Sequence, residues 1–153
     1  MTNQISGSRR NPELETCTPP QKLMTGLASG LVGGVVFGMM MVMLNMIGMV
    51  SALVGSKSDI VGWALHLGIS MFIGVTFAFL FQDKLVFGIF GLLFGLGYGI
   101  FWWVLGSLVI MPQKLGMPLF QFNTATWQSL MGHMVFGAIL GSLVVIIPSK
   151  MHK

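Results

Sequence analysis

Charge is scarce in this sequence. Its 153 residues include eight basic and four acidic side chains, 8% of the total, where a soluble globular domain carries about 25%. That leaves little that could fold as a separate aqueous domain. The few charges are also bunched, and residues 23–56, 60–82, 85–113 and 115–149 contain none. With no Asp, Glu, Lys or Arg inside those stretches, the carboxylate relays of proton-coupled transporters and the arginines of voltage sensors have no counterpart. Cysteine is nearly absent too. Cys17 is the single thiol, which rules out an intrachain disulfide and a thiolate metal centre, and its reading is an unreactive tail thiol. Serine, histidine and acidic residues nowhere converge at spacings that suggest a nucleophilic triad. Histidine is the sole general acid within the apolar stretches, so an enzyme is not expected.

What is present is hydrophobicity, 54% of the chain. About 20 apolar residues are needed to cross a hydrocarbon core roughly 30 Å thick, and each charge-free stretch is long enough. The expected fold is an all-α membrane protein of four transmembrane helices, at about residues 23–50, 60–81, 85–111 and 125–147. Residues 1–22 are polar, lack the pattern of a cleavable signal peptide and read as a disordered tail. Pro19 and Pro20 suit the start of the first span, where proline forfeits no needed hydrogen bond. That span would be about 42 Å long, so it must tilt or protrude. Asp59 can cap the second span and Thr124 or Thr126 the fourth, while Pro112 should end the third and Pro148 the last. The turn at residues 82–84 is short enough to make spans two and three antiparallel neighbours. Trp63 and Trp127 open their spans at the outer boundary as interfacial anchors. In this arrangement Arg9, Arg10, Lys22, Lys84, Lys150 and Lys153 fall on one side and only Lys57 and Lys114 on the other. The positive-inside rule then puts both termini, including residues 150–153, in the cytoplasm. The net charge of +4 is therefore a topology signal and not the footprint of a nucleic-acid partner. The partner implied is the lipid bilayer.

The two halves resemble each other. A shift of 61 positions lays Gly30, Gly34 and Gly38 on Gly91, Gly95 and Gly99, and a further six residues in the second outer loop bring His66 onto His133 and Gly74 onto Gly141. The chain thus reads as a tandem duplication of a helical hairpin. Both copies enter from the same side, which implies a pseudo-twofold axis along the membrane normal. Gly26, Gly30, Gly34 and Gly38 share one helix face, as do Gly91, Gly95 and Gly99, with Gly74, Gly137 and Gly141 as further packing positions. Faces without side-chain bulk let backbones approach, within the chain or between copies, so a homo-oligomer or membrane partner is compatible with them.

Histidine is the remaining candidate for chemistry. His66 heads the series His66, Ser70, Gly74, Ala78, and His133 heads His133, Gly137, Gly141, so both imidazoles share a face with small residues and should point into the bundle. Asn45 lies at about that depth and could hydrogen-bond one of them. A structural hydrogen bond across helices is one reading, and proton handling or a metal or haem ligand is the other. If the two rings approach closely they cannot both be protonated without strong repulsion, which would make them a coupled, pH-sensitive pair. Met39, Met40, Met41, Met43, Met46 and Met49 crowd one end of span one and invite Cu(I), but flexible packing beside glycine is the plainer reading. No resident cofactor is expected. Tyr98, Trp102 and Trp103 need partners for their polar atoms or a place near the interface.

The segments GLLFGLGYG (residues 91–99), MPQKLGMPLF (111–120) and SLMGHMVFGAILG (129–141) together resemble the YagU-like group of small bacterial inner-membrane proteins. They cover about a third of the chain. Gly132, His133 and Gly137 match that group's recurrent helix start, whereas the first half departs from it in lacking a long outer insertion. The resemblance implies a polytopic protein of the inner membrane without catalytic residues, and it implies no substrate. The expected function is that of a noncatalytic accessory or small-solute/ion-handling membrane protein. The alternative is an electron-transfer protein with haem between His66 and His133.

Overall fold

The computed structural model describes residues 17–85 and 88–151. The described residues are helical throughout their regular structure, with no strand. The elements are α1 (Pro19–Met43), α2 (Ile47–Ala52), α3 (Asp59–Phe81), a 3₁₀ turn (Gln82–Lys84), α4 (Gly88–Trp103), a π-helical segment (Val104–Ile110), α5 (Met111–Leu115) and α6 (Thr124–Met151). Four helical stretches are long and apolar enough to span a membrane: Pro19–Met43, Asp59–Lys84, Gly88–Leu115 and Thr124–Ile147. Many of their large apolar side chains, Val32, Phe79 and Phe101 among them, face outward. A soluble monomer rarely exposes so much contiguous apolar surface, but lipid solvates it.

The tail expected at residues 1–22 lies outside the described residues up to residue 16. Its end is ordered. Thr18 N–H donates to Gln21 Oε1 at 2.8 Å, half of a capping box, and α1 begins at Pro19. Lys22 pairs with Asp83, and Cys17 N–H donates to Asp83 Oδ1 at 3.1 Å. These contacts bring the start of α1 and the Gln82–Lys84 turn to the same end of the bundle.

Span one is not the continuous helix predicted over residues 23–50. It breaks at Asn45, which adopts φ 56°. Asn45 N–H donates to the Val42 carbonyl and Met46 N–H to the Met41 carbonyl, at 3.0 and 2.7 Å. This is a Schellman cap, in which a residue able to enter the left-handed region ends the helix and satisfies its last carbonyls. The excess length is thereby folded into α2, which packs on the start of α3, where a side chain at Gly62 would meet the Ile47 carbonyl at 2.7 Å.

Other boundaries shift for local reasons. Ser58 precedes α3 as its N-cap and Asp59 is its first residue. Asn123, not Thr124 or Thr126, caps α6, accepting Thr126 N–H on Oδ1 at 3.0 Å. Pro112 does not stop span three. It lacks the N–H that an α-helix would bring to the carbonyl four residues back, that of Leu108, and this oxygen accepts Phe120 N–H from the following loop at 3.1 Å instead. The wider π turns just before Pro112 accommodate its ring, which would press on the preceding turn of an α-helix. The helix then ends at Gly116, φ 68°. α6 continues past residue 148 to Met151.

Two tight hairpins make up the bundle. α1 packs on α3 and α4 on α6, and α1 also packs on α6. Within the first hairpin, a Cβ added at Gly30 would lie 2.5 Å from the Ser70 carbonyl oxygen and 3.2 Å from Gly74 Cα, one at Gly34 would strike Ser70, and one at Gly38 would strike Trp63. In the second hairpin, Gly91 faces Gly141, Gly95 faces Gly137 and Gly141, and Gly99 faces His133 and Gly137. Gly30–Gly74, Gly34–Ser70 and Gly38–His66 map onto Gly91–Gly141, Gly95–Gly137 and Gly99–His133 under the shifts of 61 and 67 residues, so the repeat in the sequence is also a repeat of contacts. Both glycine stripes are occupied by helices of the same chain.

The contact between hairpins is less regular. On one side α1 and α6 close through reciprocal glycines, with the Phe37 ring against Gly132 and the Phe136 ring against Gly33. The equivalent positions on the other side are Phe94 and Tyr98 on α4 and Leu65 and Ile69 on α3. Bulk stands where glycine would be needed, so α3 and α4 meet through large rings, Phe77 and Phe81 against Tyr98 with centroids 5.1 and 6.0 Å apart. The short turn does make them sequential antiparallel helices, but their backbones stay apart.

Candidate functional site

The space left between α3 and α4 is a cavity of about 330 Å³ at the end of the bundle opposite the Lys22–Asp83 contact. Its walls come from α1 and α2 (Phe37, Met41, Met49), from α3 (His66, Ile69, Phe72), from span three (Trp102, Ser107, Met111) and from α6 (Ser129, His133). Among the described residues no charged side chain lines it. Met46, Met49, Ser107, Met111 and Ser129 also border a smaller void reaching Met117, Pro118 and Gln121 of the loop before α6.

The structure brings His66 and His133 to this one cavity, with no hydrogen bond between them among the described residues. The Phe37 ring lies edge-on to both, at centroid distances of 5.2 Å from His66 and 4.8 Å from His133. His66 Nε2–H donates across the seam to the Gly34 carbonyl at 2.9 Å. Its Cδ2 also faces α1, near Gly38, so the edge carrying Nδ1 is turned away from that helix. His133 behaves differently. Its Nδ1–H donates to the Ser129 carbonyl of its own helix at 2.8 Å. Gly137 stands where α3 has Ser70, so α4 and α6 meet backbone to backbone and no ring fits between them. In both neutral imidazoles one nitrogen donates to a carbonyl, and the other keeps its lone pair as an acceptor.

Asn45 is not joined to either histidine. It is exposed in the α1–α2 turn, and its role there is the helix cap. Of the six methionines singled out, Met41, Met46 and Met49 line the cavity while Met39 and Met43 are exposed. Met111 joins them from span three. Trp63 packs edge-on to His66 at 6.3 Å instead of standing free as an anchor, whereas Trp127 is exposed and stacks on Trp103.

The polar atoms of span three find different fates. Tyr98 Oη and Thr76 Oγ1 share a hydrogen bond at 2.7 Å, and Trp103 Nε1–H donates to the Thr126 carbonyl at 3.0 Å. Ser107 and Ser129 share one at 2.7 Å beside His133, a contact that sequence spacing does not reveal because it joins the π-helical segment to α6. Trp102 lines the cavity, and its Nε1–H is buried with no partner among the described residues.

Comparison of the chain with protein-family models, with curated proteins and with solved structures gives no match. The function is therefore argued from the cavity. Its chemistry is that of an apolar, polarizable pocket with two imidazole acceptors and a serine pair. Ser129 Oγ also lies 3.4 Å from His133 Nδ1, the nitrogen that is bonded to the Ser129 carbonyl, and no three His, Cys, Asp or Glu side chains among the described residues group to hold a metal.

Proposed function

We propose that this is a noncatalytic integral protein of a bacterial inner membrane, with both termini cytoplasmic, that holds a small neutral solute in the cavity between its hairpins. The observation that carries the reading is the cavity itself, about 330 Å³ of space walled by thioethers and aromatic rings and reached by both intramembrane histidines. Ligand pockets have this character, mostly apolar with a few placed polar groups, and occur between the helices of bundles. The cytoplasmic placement rests on Lys22 and Lys84 at the closed end and on the sparse basic residues at the cavity end. The YagU-like resemblance is consistent with an inner-membrane location and adds nothing about the solute.

The solute reading is preferred to haem between His66 and His133 because the Phe37 ring packs edge-on against both imidazoles, at 5.2 and 4.8 Å, where an axial pair would need open space. Self-association through the glycine stripes is not proposed either, because α3 and α6 cover them.

The test is binding of a neutral apolar dye, N-phenyl-1-naphthylamine, to protein in lipid nanodiscs. Saturable fluorescence above that of empty nanodiscs is expected, and it should vanish in Gly106→Phe. Gly106 lines the cavity, and a Cβ there meets nothing within 4 Å, so a side chain can start at this position without striking a packed atom. Dye uptake identical with and without protein would remove the reading.

A further inference from the structure

We propose that the cavity takes a neutral hydroxylated aromatic molecule of about two fused rings, entering sideways from the lipid; the inference rests on the reading of the cavity as a solute site. Neutrality follows from the walls, since among the described residues none is charged and an unpaired ion would be buried at heavy cost. An aromatic body follows from the lining: Met41, Met46, Met49 and Met111 offer polarizable sulfur, which contacts ring edges favourably, and Phe72 and Trp102 offer ring faces and edges. Size follows from volume. An apolar cavity of about 150 Å³ accepts benzene, and the space here is 330 Å³, enough for a second fused ring.

The hydroxyl follows from the unmatched polar groups. The hydrogen bonds to Gly34 and Ser129 leave His66 Nδ1 and His133 Nε2 as acceptors. A hydroxyl can donate to such an imidazole lone pair. A carbonyl or ether could only accept, and a hydrocarbon could do neither. The route is lateral. Ile69 and Phe72 line the cavity and are also 44% and 60% exposed on the outside of α3, so the wall between α3 and span three is open to the hydrocarbon phase.

The experiment compares 1-naphthol, naphthalene and 1-naphthalenesulfonate in nanodiscs, each corrected for uptake by empty nanodiscs, using the parent protein and Gly106→Phe. In the parent, 1-naphthol should saturate and bind at least about fivefold more tightly than naphthalene, the scale of one good hydrogen bond, and the sulfonate should not saturate. Gly106→Phe should abolish both. Saturable binding of naphthalene within fivefold of 1-naphthol, or saturable binding of the sulfonate, overturns the ligand class but leaves the solute site standing. If no aromatic probe saturates, the solute site fails as well.

Discussion

Replacing Gly95 with alanine adds a single methyl group at the centre of the α4–α6 seam. That Cβ would sit 2.9 Å from Gly141 Cα and 3.0 Å from the Gly137 carbonyl carbon, and nearer still to the Gly137 oxygen. Carbon atoms in good contact are about 3.5–4.0 Å apart, so the helices must separate by roughly 0.5–1 Å, enough to forfeit about a quarter to a half of the dispersion along the seam. Backbone cannot rotate out of the way as a side chain can. Overpacking of this kind costs about 1–3 kcal/mol. Gly97 is the control on the same helix, because a Cβ there meets nothing within 4 Å. Its replacement by alanine should be neutral or stabilising by up to about 1 kcal/mol through helix propensity. The two variants should therefore differ by about 1–4 kcal/mol in unfolding from mixed micelles by SDS, followed by tryptophan fluorescence. Equal stability within about 0.5 kcal/mol would refute the account of the seam, since it would mean that the backbones are not in contact where the repeat places them.

Three further outcomes are expected. A periplasm-active reporter fused after residue 153 should be silent, and a cysteine placed at Lys114 in a Cys17→Ser background should be labelled from outside intact cells by an impermeant reagent; the reverse pattern would invert the topology. Met41→Leu and Met49→Leu conserve volume and should leave dye binding within about threefold, so a complete loss would point to sulfur as a ligand for a soft metal. Lys22→Ala or Asp83→Ala should cost no more than about 1 kcal/mol by the same SDS titration, because that pair is partly exposed, and a larger loss would make it a required clasp.

The spans were legible because charge is excluded so strictly from residues that meet lipid. The register of both hairpins was legible as well, since Gly30, Gly34 and Gly38 and their counterparts 61 residues later must each face something that tolerates no Cβ. Asn45 was not. Flanked by Leu44 and Met46 in a charge-free run, it reads as one polar residue inside a span, and only its left-handed backbone reveals a cap. Pro112 misled for a different reason: the carbonyl it orphans is satisfied by Phe120, twelve residues further on, and no local rule anticipates a loop that returns. Both histidines line the one cavity, and the Phe37 ring lies edge-on to each of them, which sequence spacing did not foretell. Its position directly before Gly38 was the available signal, because the stripe that meets His66 carries that ring to the same depth. The cavity needed a comparison that glycine spacing alone does not prompt, between Gly33 and Gly132 on the closed side and Phe94 and Leu65 on the open one.

The most direct test of the solute site is to watch the two imidazoles while it fills. Protein labelled with ¹⁵N-histidine, in nanodiscs at pH 8, should show His66 as the Nε2–H tautomer and His133 as the Nδ1–H tautomer, as their bonds to Gly34 and Ser129 require. Addition of N-phenyl-1-naphthylamine should shift the unprotonated nitrogens of both residues saturably, leave the resonance of His152 in place as a reference, and have no effect in Gly106→Phe. Imidazole spectra of His66 and His133 that stay unchanged at saturating dye would contradict the account.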